Sequence, residues 1–273
     1  MKFFRYWARG TASVEDGWNV HACGASDTSL EDARAQARRI AERTAAVFAA
    51  GDLPGDYDYL ERPIREELVR TIGSSDAPTA VLTRNAYGAV VLNTSRVLFA
   101  DLDLTAERPG CLGGLFGARG KSQDDAILER VRELSARDNR VGTRLYRTAA
   151  GYRCLVTHRT FEPSAPESLE LLRRLGSDPL YVRMCELQEC FRARLTPKPW
   201  RIELSRPPAR FPWTTDDEEQ AVRRWEEAYE RASASFSTCA LVASFGNPVA
   251  HPDVAPILAL HDELACNGDR PLA

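Results

Sequence analysis

The sequence predicts an α+β fold built on a mostly antiparallel central sheet with flanking helices, and three observations lead there. Aromatic and β-branched runs are joined by short turns near the N terminus and again between residues 142 and 158. Capped segments with helical periodicity stand between and after these runs. With 273 residues, 44% of them hydrophobic and 27% charged, the chain can bury a sizeable core as one large domain or two small ones. The expected organisation is an N-terminal hairpin and helix over 1–79, a catalytic-like core over 80–210 and a helical extension over 211–273, together one compact unit.

Phe3 to Arg9 and Trp18 to Ala25 read as strands joined at Glu15-Asp16-Gly17, a hairpin. Thr28-x-x-Glu31 fits a capping box, Leu30 to Phe48 keeps helical spacing, and Gly51 can end the helix. Leu53 to Arg62 reads as a loop and Pro63 to Ile72 as a short helix. Ala80 to Asn85 and Ala89 to Leu104 form a strand pair turned at Ala86-Tyr87-Gly88. Asp124 to Ala136 is helical, and Gly142 to His158 is a second hairpin bent at Thr148-Ala149-Ala150-Gly151. A helical stretch to Cys190 precedes the strand that carries Arg192 and Arg194. Helices over Thr215 to Ala234 and Val254 to Leu264 enclose a strand from Cys239 to Phe245.

Composition excludes several classes. No run of eighteen apolar residues offers a membrane span, and Met1 to Trp7 is too short and too soon charged for a signal peptide, so a cytoplasmic protein with no membrane partner is expected. Seven scattered cysteines without a Cys-x-x-Cys indicate neither a disulfide framework nor a zinc knuckle. Cys239, His251, His261 and Cys266 have zinc-compatible side chains at irregular spacing. A net charge of −3 argues against coating nucleic acid by bulk electrostatics. Arginines nevertheless concentrate between Arg137 and Thr160 and again between Arg183 and Arg210, whereas Asp216 to Glu230 is acidic.

The chemistry-bearing feature is Phe99-Ala100-Asp101-Leu102-Asp103-Leu104, an apolar run ending in two aspartates one residue apart. At i and i+2 of a strand the carboxylates share a face, close enough to hold a divalent cation that offsets their repulsion. Arg192 and Arg194 likewise share a strand face, and Lys198 and Arg201 extend the positive charge into a candidate polyphosphate clamp. Arg147, Thr148 and Arg153 cluster near the hairpin turn, and His158 ends its second strand. The glycine-rich segment 108–121 lacks Walker spacing and is a candidate phosphate-covering loop. Asp178 is a candidate third carboxylate or the N-cap of the helix that begins at Pro179. Trp200, Trp213, Trp225 and Tyr229 could stack on bases.

Taken in order over Val97 to Arg201, these features resemble the archaeo-eukaryotic primase superfamily, the catalytic domains of primase-polymerases. The motifs are an acidic pair on a strand, a glycine-containing hairpin with a basic residue, a further acidic residue and an Arg/Lys strand. The resemblance implies a primase-polymerase-like core and nucleotidyl transfer with Mg²⁺ or Mn²⁺ on Asp101, Asp103 and Asp178, the catalytic set. It implies a nucleoside triphosphate held by Arg147, Thr148, Gly151, Arg153, His158, Arg192, Arg194 and Lys198, with nucleic acid as a candidate partner. The chain departs from the family at Arg153, where histidine is usual, and at Asp178, which precedes a proline. No zinc-binding subdomain or helicase module is visible, which argues against a processive replicative polymerase.

Two other readings compete. Asp101-Leu102-Asp103 also resembles the first motif of haloacid-dehalogenase-like phosphatases, with Asp101 as nucleophile, Asp103 as acid and base, and Asp216-Asp217 as the late acidic pair. Against it, some hundred residues precede the motif and no glycine follows it. The third reading is a protein that binds nucleotide or nucleic acid without turnover.

Overall fold

The computed structural model describes residues 1–14, 17–50, 63–74, 77–104 and 122–273. The chain runs through β1 (Tyr6–Ser13), β2 (Asn19–Ser26), α1 (Leu30–Ala49), β3 (Glu67–Gly73), β4 (Pro78–Arg84), β5 (Val90–Thr94), β6 (Phe99–Asp103) and α2 (Gln123–Arg137). It continues with β7 (Gly142–Thr148), β8 (Gly151–Val156), α3 (Pro166–Leu175), α4 (Pro179–Gln188), β9 (Phe191–Arg194), α5 (Asp216–Ser233), β10 (Cys239–Gly246) and α6 (Ala255–Ala265). The fold is α+β, and the ladders β1–β2, β3–β4–β5 and β10–β7–β8–β6 are antiparallel. No helix among the described residues is long and apolar enough to cross a membrane. The glycine-rich segment 108–121, the loop 53–62 and Glu15-Asp16 lie outside the described residues, apart from Gly17 just beyond the last.

Two compact units divide the chain, one of residues 1–93 with 196–235 and the other of 94–195 with 236–273. Boundaries drawn along the chain at 79/80 and 210/211 miss this division, because each unit takes two separate stretches. The expected continuous strand from Ala89 to Leu104 breaks at a bend over residues 95–97, where Thr94 Oγ1 accepts from the Arg96 N–H. β5 therefore belongs to the first unit and β6 to the second.

In the first unit the β1–β2 hairpin carries α1 at backbone contact. A Cβ on Gly24 would lie 2.3 Å from Ala33 O, and one on Gly10 would lie 2.5 Å from the Ala37 carbonyl carbon. The buried face of α1 is accordingly Ala33, Ala37, Ala41 and Ala45. Its cap is Ser29, whose Oγ accepts from the Asp32 N–H at 3.1 Å, one residue after the expected Thr28. The segment expected to be a helix from Pro63 is instead β3 over Glu67–Gly73, paired with β4. Val69, Thr71 and Ile72 suit a pleated ladder, and cross-strand pairing outweighs the local helical preference of the glutamates before them. The turn after β4 forms where expected, with Asn85 Oδ1 accepting from Tyr87 and Ala89 N–H groups and Gly88 at φ 92°.

In the second unit β6, β8, β7 and β10 lie side by side in that order. Register alternation places Ala100, Leu102, Tyr152, Cys154, Leu145 and Arg147 on one face. On that face Asp124 of α2 accepts from the Tyr152 hydroxyl, and Arg132 of α2 sits over the Phe245 ring. The other face presents Phe99, Asp101, Asp103, Arg153, Tyr146 and Cys239. His261 of α6 covers part of it, 4.8 Å from the Tyr146 ring and 5.4 Å from the Phe99 ring. The helix α3 was not foreseen from the sequence.

Candidate functional site

Asp101 and Asp103 leave β6 on one face, as the i, i+2 spacing requires, with Asp101 partly buried and Asp103 exposed. β6 is an edge strand of its four-stranded sheet, and the α3–α4 connection covers its edge at Asp101. Ser177 Oγ accepts from the Asp101 N–H at 3.2 Å and lies 3.0 Å from Asp101 O, which also accepts from the Asp178 N–H at 3.0 Å. Gly176 permits the approach: at φ 78° it caps α3, and a Cβ there would meet the Arg130 guanidinium at 2.0 Å. Asp178 takes the N-cap position that the sequence offered for it. Its Oδ1 caps α4 through the Tyr181 N–H at 2.8 Å, while its backbone is tied to Asp101. Ser177, unremarkable in sequence, is the residue that joins the two.

Arg153 stands directly opposite Asp101 in the β6–β8 register and is 5% exposed. Its Nη1 donates to Arg194 O at 3.0 Å and to His261 Nε2 at 3.1 Å. That acceptor role leaves the His261 proton on Nδ1, which donates to Asp262 Oδ1 at 2.9 Å. Asp262 also accepts from the Tyr146 hydroxyl and from Arg144, both at 2.7 Å. Burial raises the Asp101 pKa above its usual value of 3.8; Arg153 opposes this, Asp103 adds to it, Arg194 opposes and Asp178 adds. Three carboxylates and two guanidiniums therefore act on one another around the end of β6.

Other predicted residues are placed differently. Arg147 projects to the opposite face of the sheet from Asp101 and Asp103, where its Nη1 pairs with Asp124 Oδ1 at 3.0 Å; odd spacing from Tyr146 and Thr148 on one strand dictates this. Thr148 shares the face of Asp103 and lies across from Cys239. Gly151 faces Asp103, and a Cβ there would meet Leu102 O at 2.2 Å, so its glycine is required by strand approach. His158 follows the far end of β8, five residues from Arg153 and about 16 Å along an extended strand. Burial and then Arg159 lower its pKa. Arg192 lies on β9 with Nη1 3.4 Å from Gln188 Oε1, and its N–H donates to the buried Tyr181 hydroxyl, which sits 2.8 Å from Phe99 O.

Lys198, with its Nζ 5.7 Å from the Trp200 ring centroid, belongs to the first unit. There Trp225 stacks on the buried Tyr229 at 4.9 Å and donates to Ser205 O, Arg223 covers Trp213, and Trp200 is exposed. Asp216 and Asp217 occupy the first turn of α5 in the same unit, behind the N-cap Thr215.

Among the described residues, one group of three or more His, Cys, Asp or Glu has ligand atoms all within 4.8 Å of one another: Cys239, His261 and Cys266. His251, grouped with them on residue type, is absent from it; its Nδ1 accepts from the Asp253 N–H in the turn before α6. The hydrogen-bonding Cys266 thiol, opposed by burial and assisted by the Arg153 charge, holds the Cys239 thiol below its usual range. The three carboxylates around β6 do not converge into such a group. Compared with family models, curated proteins and solved structures, the chain matches none.

Proposed function

We propose that the second unit binds a nucleoside triphosphate with Mg²⁺ or Mn²⁺ and acts as a metal-dependent nucleotidyltransferase of primase-polymerase type. The observation that carries the reading is the pairing of Asp101 with Arg153 across β6–β8, with Asp103 on the same face and Asp178 and Arg194 within electrostatic reach of Asp101. A partly buried carboxylate with a raised pKa, near two further carboxylates, is a site whose charge a divalent cation would offset. Asp101 and Asp103 would hold that cation. Asp178 would offer its remaining oxygen, since Oδ1 is committed to the α4 cap. When bound, the cation would activate an attacking hydroxyl and neutralise charge on the transferring phosphoryl group.

The chain's own residues would do the positioning. Arg194, beside Asp101, would meet triphosphate oxygens, and Arg153, buried and doubly hydrogen-bonded, would hold the anionic face in place. Asp103, exposed at the end of β6, would be the carboxylate nearest solvent. The deciding experiment is calorimetric titration of a nucleoside triphosphate, with and without Mn²⁺, into wild type and Asp101→Asn/Asp103→Asn. Metal-dependent binding that the double variant loses is the expected result. Equal binding by both proteins, or none by wild type, would overturn the proposal.

A further inference from the structure

We propose that Cys239, His261 and Cys266 form a binding site for a zinc-like divalent metal ion, distinct from the carboxylates at the end of β6. The donor triangle has the right size. A zinc ion bonded to sulfur at about 2.3 Å and to imidazole nitrogen at about 2.0–2.1 Å sets tetrahedral edges of about 3.8 Å between two sulfurs and about 3.6 Å between sulfur and nitrogen. Here Cys239 Sγ lies 3.7 Å from Cys266 Sγ and 3.8 Å from His261 Nε2. Two edges thus match a coordination tetrahedron, all three donor atoms lie within 4.8 Å of one another, and an ion drawing them together would keep a fourth position for a water or an incoming ligand. Cys239 and His261 are fully buried, and Cys266 is partly exposed, which gives the site a way in.

The surroundings fit the same purpose. His261 presents Nε2 to the thiols because Nδ1–H is held by Asp262, and Asp262 is itself held by Tyr146 and Arg144. A carboxylate behind a histidine fixes the tautomer and ring orientation that a metal needs and raises the basicity of the ligating nitrogen. Two thiolates and a neutral imidazole are a soft donor set that balances a divalent charge, and it favours zinc over Mg²⁺ or Mn²⁺. Arg153 Nη1 shares His261 Nε2, so an entering ion takes over that lone pair and leaves the guanidinium its bond to Arg194 O. The donors lie on β10, on α6 and just after α6, so packing of α6 onto the sheet brings Cys239 to the other two.

The test is a titration of the reduced, metal-stripped full chain with Co²⁺, read by thiolate-to-cobalt charge-transfer absorption and followed by displacement with Zn²⁺. Expected are saturation at one ion per chain, loss of the band in Cys266→Ser with unchanged far-ultraviolet circular dichroism, and retention in Cys23→Ser. Asp262→Asn should weaken affinity by about 10–100-fold. Absence of the band in wild type would overturn the proposal without reference to any variant. So would a band that survives in Cys266→Ser, or one that Cys23→Ser also removes.

Discussion

Replacing Asp101 by asparagine should stabilise the protein while removing its metal-dependent nucleotide binding. The sign follows from local charge. Around the end of β6 three carboxylates (Asp101, Asp103, Asp178) act against two guanidiniums (Arg153, Arg194), an excess of one negative charge; without the Asp101 charge the count is two against two. Burial is the largest influence on Asp101 and disfavours its ionised form. The backbone ties from Ser177 and Asp178 do not involve the carboxylate, so asparagine changes charge and little else. Relief of such a functional strain is typically worth about 0.5–2 kcal/mol. The pH dependence is fixed by the direction of the shift. A folded-state pKa above 3.8 means that the protonated acid's contribution is fully present below that value and is lost as pH rises through the folded pKa. The two proteins should therefore match in acid, and the variant should gain its advantage toward neutral pH. Urea unfolding of both across a pH series measures the difference. A neutral-pH loss of about 3–5 kcal/mol in the variant, as for a broken buried ion pair, would refute the reasoning.

Two further outcomes are expected. Gly24→Ala would force a methyl group into the Ala33 carbonyl and should cost about 1–3 kcal/mol or more, read by thermal unfolding; a neutral effect would mean that α1 can lift from its hairpin. Ser177→Ala leaves the Asp101 N–H without its side-chain acceptor and should cost about 1–3 kcal/mol, with weaker Mn²⁺-dependent nucleotide binding in calorimetry. Unchanged binding would detach the α3–α4 connection from the site.

Local signals carried much of the fold. The β1–β2 and β7–β8 hairpins, α1, α2, α5, β10 and α6 stand close to where periodicity and turn chemistry put them, because local pattern and capping signal these elements, although β10 is completed by the distant β7. What failed depended on partners distant in the chain. β3 is a strand because β4 lies beside it, and the break between β5 and β6 follows from their joining different sheets. In the candidate site, the shared face of Asp101 and Asp103 was legible from spacing alone. The opposite placement of Arg147 was equally legible, since the alternation that puts Arg153 beside Asp101 sends Arg147 to the α2 side. Ser177 was not, as its tie to Asp101 arises only when segments far apart in the chain meet, and for Cys239, His261 and Cys266 residue type named the candidates, with His251 among them, while only the fold showed which three converge.

Arg153 is where sequence departs most from the resembled family, and its geometry explains why arginine matters there. One nitrogen of its planar fork reaches both Arg194 O and His261 Nε2 while the positive charge faces Asp101. Arg153→Lys separates these roles. Lysine keeps the charge but, as a compact ammonium on a flexible stem, does not reproduce the fixed fork. If charge alone counts, the variant should keep wild-type stability. If the hydrogen bonds count, it should lose about 1–3 kcal/mol, because a part-buried carbonyl and a buried imidazole nitrogen lose their donor. The second outcome is expected, with the loss read in urea at neutral pH. Arg153→Gln, which removes the charge as well, should lose more, and less of it once Asp101 is neutralised by asparagine, since the two groups face each other across β6–β8 and should not act independently. Additive effects of Arg153→Gln and Asp101→Asn would show that register neighbours on this face are electrostatically uncoupled, and the central pairing would then lose its force.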